Sequence, residues 1–154
     1  MKRIHKFLQL SQREKVLLIY AFLVLATVTM GLWVFPWLTL QRLLLKPANW
    51  YSRFVNTRRP AALQIAWVVK VASSFIPKAT CLPRALATQI LLIQNTYPAE
   101  LKIGIARGKD GKLGAHAWVT SEGNILIGSV PDLDHFVLLS AMESHSIEDY
   151  GRAD

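Results

Sequence analysis

Val16 to Gln41 contains no charged residue. That run constrains the fold more than any other feature. Val16–Val34 alone is long enough to cross a bilayer, since roughly 20 apolar residues span the hydrocarbon core. Such a segment must be inserted in lipid or buried against protein. Ser11-Gln12-Arg13-Glu14, just ahead of it, reads as a capping box, so a helix is predicted to begin near Gln12. Pro36 is predicted to end or kink that helix. A cleaved signal peptide fits poorly, because the apolar stretch is long and no small-x-small site closes it. Two readings stand: a single membrane anchor, or a buried or paired helix in a helical subdomain. Charge does not orient the segment. Lys2, Arg3, Lys6, Arg13 and Lys15 precede it, and Arg42, Lys46 and Arg53 follow.

The chain has 154 residues, enough for one domain of ordinary size. The net charge of +8 is unevenly placed: residues 1–78 carry +11 and residues 79–154 carry −3. A basic front half suits an acidic peptide or an anionic membrane surface. Nucleic acid is not expected as a partner, because the positive residues are scattered and no binding signature accompanies them. The single cysteine, Cys81, excludes an internal disulfide and agrees with a reducing, cytoplasmic compartment. A lone cysteine is by default a small buried hydrophobe and needs context before it is read as a nucleophile.

Beyond the apolar run, short helices are expected over Leu38–Leu45 and Trp50–Thr57. A longer helix is expected over Ala61–Ser74, where Leu63, Ile65, Ala66, Val69 and Ala72 recur near helical period. Another is expected over Leu82–Gln94, with Pro83 in the first turn, where a missing N–H is harmless. From Leu101 the rhythm changes. Leu101, Ile103 and Ile105 alternate, as do Ala115, Ala117 and Val119, so both segments read as strands. Gly108–Gly111 and Ser121–Asn124 read as turns, and Ile125–Ile127 as a third strand. Helices first and an antiparallel sheet second imply an α+β fold. The chain divides into a basic, apolar helical region over 1–60, a core over 61–150 and a frayed tail over 151–154.

Cys81 falls at the start of its helix. There the unpaired N–H groups and the helix dipole favour a thiolate. The same groups can stabilise an oxyanion on a substrate carbonyl. A nucleophilic cysteine also needs a base within hydrogen-bond reach. Of the four histidines, His5 lies in the basic N-terminal stretch, His145 near the C-terminus and His135 in a polar loop. His116 is central in a strand, between Ala115 and Ala117, with Trp118 on the same face and able to shield the pair. One cysteine and scattered histidines give no metal-ligand spacing, so no zinc site and no cofactor are expected.

Cys81-Leu82-Pro83-Arg84-Ala85-Leu86-Ala87 resembles the Cys-Leu-x-Arg-Ser/Ala-Leu-Ala stretch of the lasso-peptide biosynthesis B proteins. Leu101–Ala106 followed by His116-Ala117-Trp118-Val119 is similar to their second block. Gly123–Gly128 and Phe7–Glu14 are similar to further parts of them. The resemblance spans nearly the whole chain and extends to the C-terminal domain of microcin-processing proteins. It implies a transglutaminase-like, papain-related cysteine peptidase with Cys81 as nucleophile and His116 as base, which removes the leader of a ribosomally made precursor peptide. A separate cyclase similar to asparagine synthetase then closes the ring. Larger members carry a leader-recognition domain. Nothing here resembles one, so the resemblance implies a stand-alone peptidase working with a small recognition protein.

The sequence departs from that pattern at one place. The expected third member is an Asp about twelve residues after the histidine, and that position holds Gly128. Asp132 is the nearest acidic substitute, and a backbone carbonyl or an amide is the other option. An orienter sets the imidazole tautomer and stabilises the imidazolium. Ser73–Ile76 also lacks the glutamine that papain-like enzymes place before the cysteine. Arg84 and Trp118 are candidate substrate-binding residues, with ion-pair and core roles as the bland alternatives. Two other functions remain open: a membrane-associated, non-catalytic interaction protein, and an acyl transferase on the same fold.

Overall fold

A computed structural model describes residues 11–36, 39, 59–77, 79–108 and 111–139. The helices expected over Leu38–Leu45 and Trp50–Thr57, the tail over 151–154, and His5 and His145 lie outside the described residues.

Helix α1 spans Gln12–Val34. It starts where the capping box places it. The Glu14 N–H donates to Ser11 Oγ, and the Glu14 carboxylate accepts from the Ser11 N–H at 2.8 Å. It stops because Phe35 precedes Pro36, whose ring disfavours helical backbone in the residue before it. Phe35 is extended at φ −122° and ψ 145°. The helix is apolar all round, so composition alone does not select a buried face. Leu17, Ala21, Leu25 and Val28, spaced at helical period, are buried. Ile19, Leu23, Met30 and Trp33 are exposed on the remaining surface.

Helix α2 spans Ala62–Ser73 and buries Ile65, Val68, Val69 and Ala72. Helix α3 spans Cys81–Gln94 and is buried almost continuously from Ala85 to Leu92. It is the central element, packed on α1, α2 and the sheet. Its fully buried Leu86, Ile90, Leu91 and Leu92 contribute about 1.5–3 kcal/mol each in transfer free energy. Its buried polar side chains are satisfied: Thr88 Oγ1 donates to the Arg84 carbonyl at 2.8 Å, and Asn95 Nδ2 donates to the Leu91 carbonyl at 2.7 Å. The Tyr20 hydroxyl donates to Gln94 Oε1 at 2.9 Å, which ties α1 to the end of α3. Leu17, Leu25 and Val28 of α1 share one hydrophobic core with Ile90 and Val119. That core draws on residues from both sides of residue 60.

Four antiparallel strands follow: β1 Glu100–Arg107, β2 Leu113–Ser121, β3 Asn124–Ile127 and β4 Val137–Leu138. Their order in the sheet is β3-β2-β1-β4. Glu122 and Gly123 both have positive φ, 49° and 79°, so β2 and β3 are joined by a turn that matches strand twist. A bulge interrupts this pair: Thr120 faces Ile125 while Val119 faces Ile127. Strand β4 and the 3-10 turn Leu133–His135 ahead of it are too short to leave a periodic signal in sequence. The chain has the expected α+β architecture, with the cysteine-bearing helix packed on the histidine-bearing sheet.

Candidate active site

Cys81 is the first residue of α3 and is partly buried. Thr80 stands at the N-cap, but its side chain makes no capping bond. Pro83 has no N–H. The N–H groups of Cys81 and Leu82 therefore have no partner among the described residues, where a helix start normally receives one. They are placed to receive a negative oxygen. Arg84, one turn on, folds back so that its Nε donates to the Thr80 carbonyl at 3.2 Å. This keeps the guanidinium beside the helix start.

His116 lies in β2, opposite Gly104 of β1. Its ring stacks on Trp118 at a centroid distance of 6.3 Å and an interplanar angle of 19°, and tilts against Phe136 at 5.6 Å. Nε2 lies 2.7 Å from the carbonyl oxygen of Gly128. A carbonyl only accepts, so Nε2 carries a hydrogen, and in the neutral ring the lone pair is on Nδ1. The orienting group is thus a backbone carbonyl at the position where an Asp is expected.

Gly128 cannot be replaced by that Asp on this backbone. Its φ is +85°, and a Cβ there would meet the Ala117 carbonyl oxygen at 2.6 Å and the Trp118 Cα at 2.8 Å. The bulge in β3 advances the chain by one residue, which brings Gly128 over Trp118 and turns its carbonyl to the imidazole. Asp132 is exposed, caps the 3-10 turn through its backbone carbonyl, and has no hydrogen bond to His116. The expectation that it orients the histidine is corrected on that ground.

Cys81 and His116 line one open cleft of about 550 Å³ between α2, the start of α3 and the β2–β3 edge. No hydrogen bond joins Cys81 Sγ to the imidazole among the described residues. Such bonds are commonly long without substrate and shorten when it binds. Arg84 also lines the cleft. Trp118 does not. It is 6% exposed and packs with Phe136 over Gly104, where a Cβ would meet Phe136 Cβ at 2.8 Å and the Trp118 ring at 3.0 Å. Its assignment as a substrate-binding residue is corrected: it supports and shields the histidine.

The tryptophan in the cleft is Trp67 of α2, 44% exposed, with Leu63 one turn before it and Lys70 after it. These three share the face of α2 that the core leaves uncovered. Their spacing at i, i+4 and i+7 is visible in sequence, but which face of α2 turns inward is not. Among the described residues, no three His, Cys, Asp or Glu side chains are grouped to hold a metal ion.

A thiol at the start of a central buried helix and an imidazole on the adjoining sheet, opening on one cleft, define the papain-like class of cysteine-dependent folds. The chain belongs to the transglutaminase-like superfamily, whose family profile it matches over residues 22–141. The match begins inside α1, so the greater part of that helix is domain and not appendage. No curated protein and no solved structure gives a significant match.

Proposed function

We propose that this chain is a cysteine peptidase that removes the leader from a ribosomally synthesised lasso-peptide precursor. The observation that carries the chemistry is the pairing of an uncapped helix start at Cys81 with an imidazole whose lone pair is left on Nδ1. Cys81 Sγ attacks the carbonyl carbon of the leader–core bond, and His116 Nδ1 takes the thiol proton. The oxygen of the tetrahedral intermediate is received by the N–H groups of Cys81 and Leu82. Collapse breaks the C–N bond as the imidazolium returns its proton to the leaving amine. Water then attacks the thioester with His116 again as base, which frees the leader as an acid. The substrate assignment rests on the motif resemblance around Cys81, His116 and Gly128. The same resemblance supplies the partners: the precursor, a separate leader-recognition protein and an asparagine-synthetase-like cyclase. The test is Cys81→Ala in a cleavage assay with precursor and recognition protein. Loss of leader removal is expected, and undiminished removal overturns the proposal. A product carrying an added amine in place of the free acid assigns acyl transfer on the same dyad.

A second reading draws on the exposed face of α1, where Ile19, Leu23, Met30, Trp33 and Val34 form an uncharged surface. On that reading the chain is a membrane-associated interaction protein with a disused dyad. The helix is long and apolar enough to cross a membrane, yet a third of its most apolar window is buried inside the domain. Alkylation of Cys81 by iodoacetamide at pH 6 at no more than the rate of an ordinary thiol favours it.

A further inference from the structure

Among the described residues, the cleft contains two cations, Lys70 and Arg84, and no acid. Lys70 reaches it from α2 and Arg84 from α3, and no described Asp or Glu contributes to its walls. Neither Lys70 nor Arg84 has an ion pair among the described residues; the only one there joins Lys102 to Glu100. Arg84 commits Nε to the Thr80 carbonyl, which fixes the guanidinium plane and leaves its terminal nitrogens available. Fork geometry of that kind suits a carboxylate. Arg84 is also one helical turn from Cys81, which puts it beside the reacting sulfur. Trp67 and Leu63 line the same cleft and supply an apolar wall.

We infer that Arg84 and Lys70 are specificity-determining residues that select an acyl substrate carrying a carboxylate close to the bond Cys81 attacks. The inference rests on the reading of Cys81 as the acyl-accepting thiol. The carboxylate comes from an acidic side chain or from a chain terminus, and both offer the same planar anion to the arginine fork. An unpaired cation pair at a reacting centre also keeps neutral peptides at a disadvantage, since their binding desolvates two charges without replacement.

Cys81 is the one cysteine of the chain, so alkylation reads this site without knowledge of the substrate. The experiment compares second-order rates of iodoacetate, which carries a carboxylate, with those of neutral iodoacetamide. The ratio at Cys81 is expected to exceed that of free glutathione by about fivefold or more at low salt. It is expected to fall toward the glutathione value in Arg84→Gln and Lys70→Glu, because the ratio cancels any change in thiolate fraction that both reagents share, and to decline as salt rises. Lys70 is on the exposed face of α2, so its variant reports even if Arg84→Gln misfolds. A ratio equal to that of glutathione, or one that both variants leave unchanged, overturns the inference. Acetyl-glutamate amide and acetyl-glutamine, as protectants against iodoacetamide, separate the sources. Protection by the first assigns a side chain and by the second a terminus, and protection by neither overturns the inference. Alkylation needs no turnover. A raised ratio without leader cleavage retains the anion site and rejects the peptidase, and cleavage with a flat ratio does the reverse.

Discussion

The imidazole Nε2 of His116 lies 2.7 Å from the carbonyl oxygen of Gly128, twelve positions along the chain. A carboxylate in that place would orient the ring and also balance the imidazolium charge. A carbonyl orients the ring and offers only its dipole. On the proposed peptidase reading, the imidazole is therefore held with Nε2–H toward that carbonyl and with weaker support for the charged state.

Gly128 is expected to tolerate no side chain. Its left-handed φ and the 2.6 Å approach of a Cβ to the Ala117 carbonyl predict that Gly128→Ala loses about 1–3 kcal/mol of stability. Gly128→Asp is expected to be at least as unstable and no more active, because the backbone must move before the carboxylate can reach the imidazole. Asp132→Asn is expected to leave activity within about twofold, where loss of a true orienting carboxylate costs about 10⁴. Denaturant melts and cleavage rates on the three variants check this.

The two tryptophans are expected to separate stability from binding. Trp118→Ala removes a buried ring that packs with Phe136 over Gly104 and is expected to cost about 3–5 kcal/mol. Trp67→Ala, on the exposed side of α2, is expected to change stability by less than about 0.5 kcal/mol and to raise KM. Thermal melts with steady-state kinetics distinguish them, and a stable Trp118→Ala with raised KM is the outcome that reverses the assignment.

Helix α1 is expected to behave as a core element. Leu25 is fully buried and Leu23 is 56% exposed. Leu25→Ala is expected to destabilise by about 2–5 kcal/mol and Leu23→Ala by less than about 0.5 kcal/mol. Equal, small effects in denaturant melts would instead place α1 outside the domain core. Carbonate extraction of the expressed protein reads its membrane insertion directly.

The capping box carries a pH signature. The backbone N–H and hydroxyl of Ser11 hold the Glu14 carboxyl below its ordinary value of 4.5. A carboxyl lowered on folding adds stability above its unfolded value and loses it as pH falls through the folded value. The stability gap between the parent and Glu14→Gln is therefore expected to be constant near neutral pH and to shrink below about pH 4.5. Chemical denaturation from pH 7 to pH 3 measures it, and a gap that grows on acidification contradicts the assignment.

Much of the site was readable in sequence because its signals are local. A capping box and a proline bound α1 within a residue of the expected ends. Alternation placed His116 inside a strand, and the missing N–H of Pro83 marked a first turn beside Cys81. Each depends on neighbours a few positions apart. The fourth strand was not readable, since two residues cannot show a period. Trp67 was passed over for Trp118 because both are aromatic residues at good spacing, and only packing decides which is covered. An apolar run without charge fixed a helix but no buried face, because every side of it can be covered at similar gain. The orienter of His116 was the least accessible of all. Every residue has a carbonyl, and which one meets the imidazole depends on a bulge between β2 and β3 and on a glycine in a left-handed conformation. Sequence alone determined the three described helices, the first three strands, the cysteine's place at a helix start and the gap at position 128. Only the tertiary structure decided what fills that gap, because the contact is made by two strands whose register no local pattern encodes.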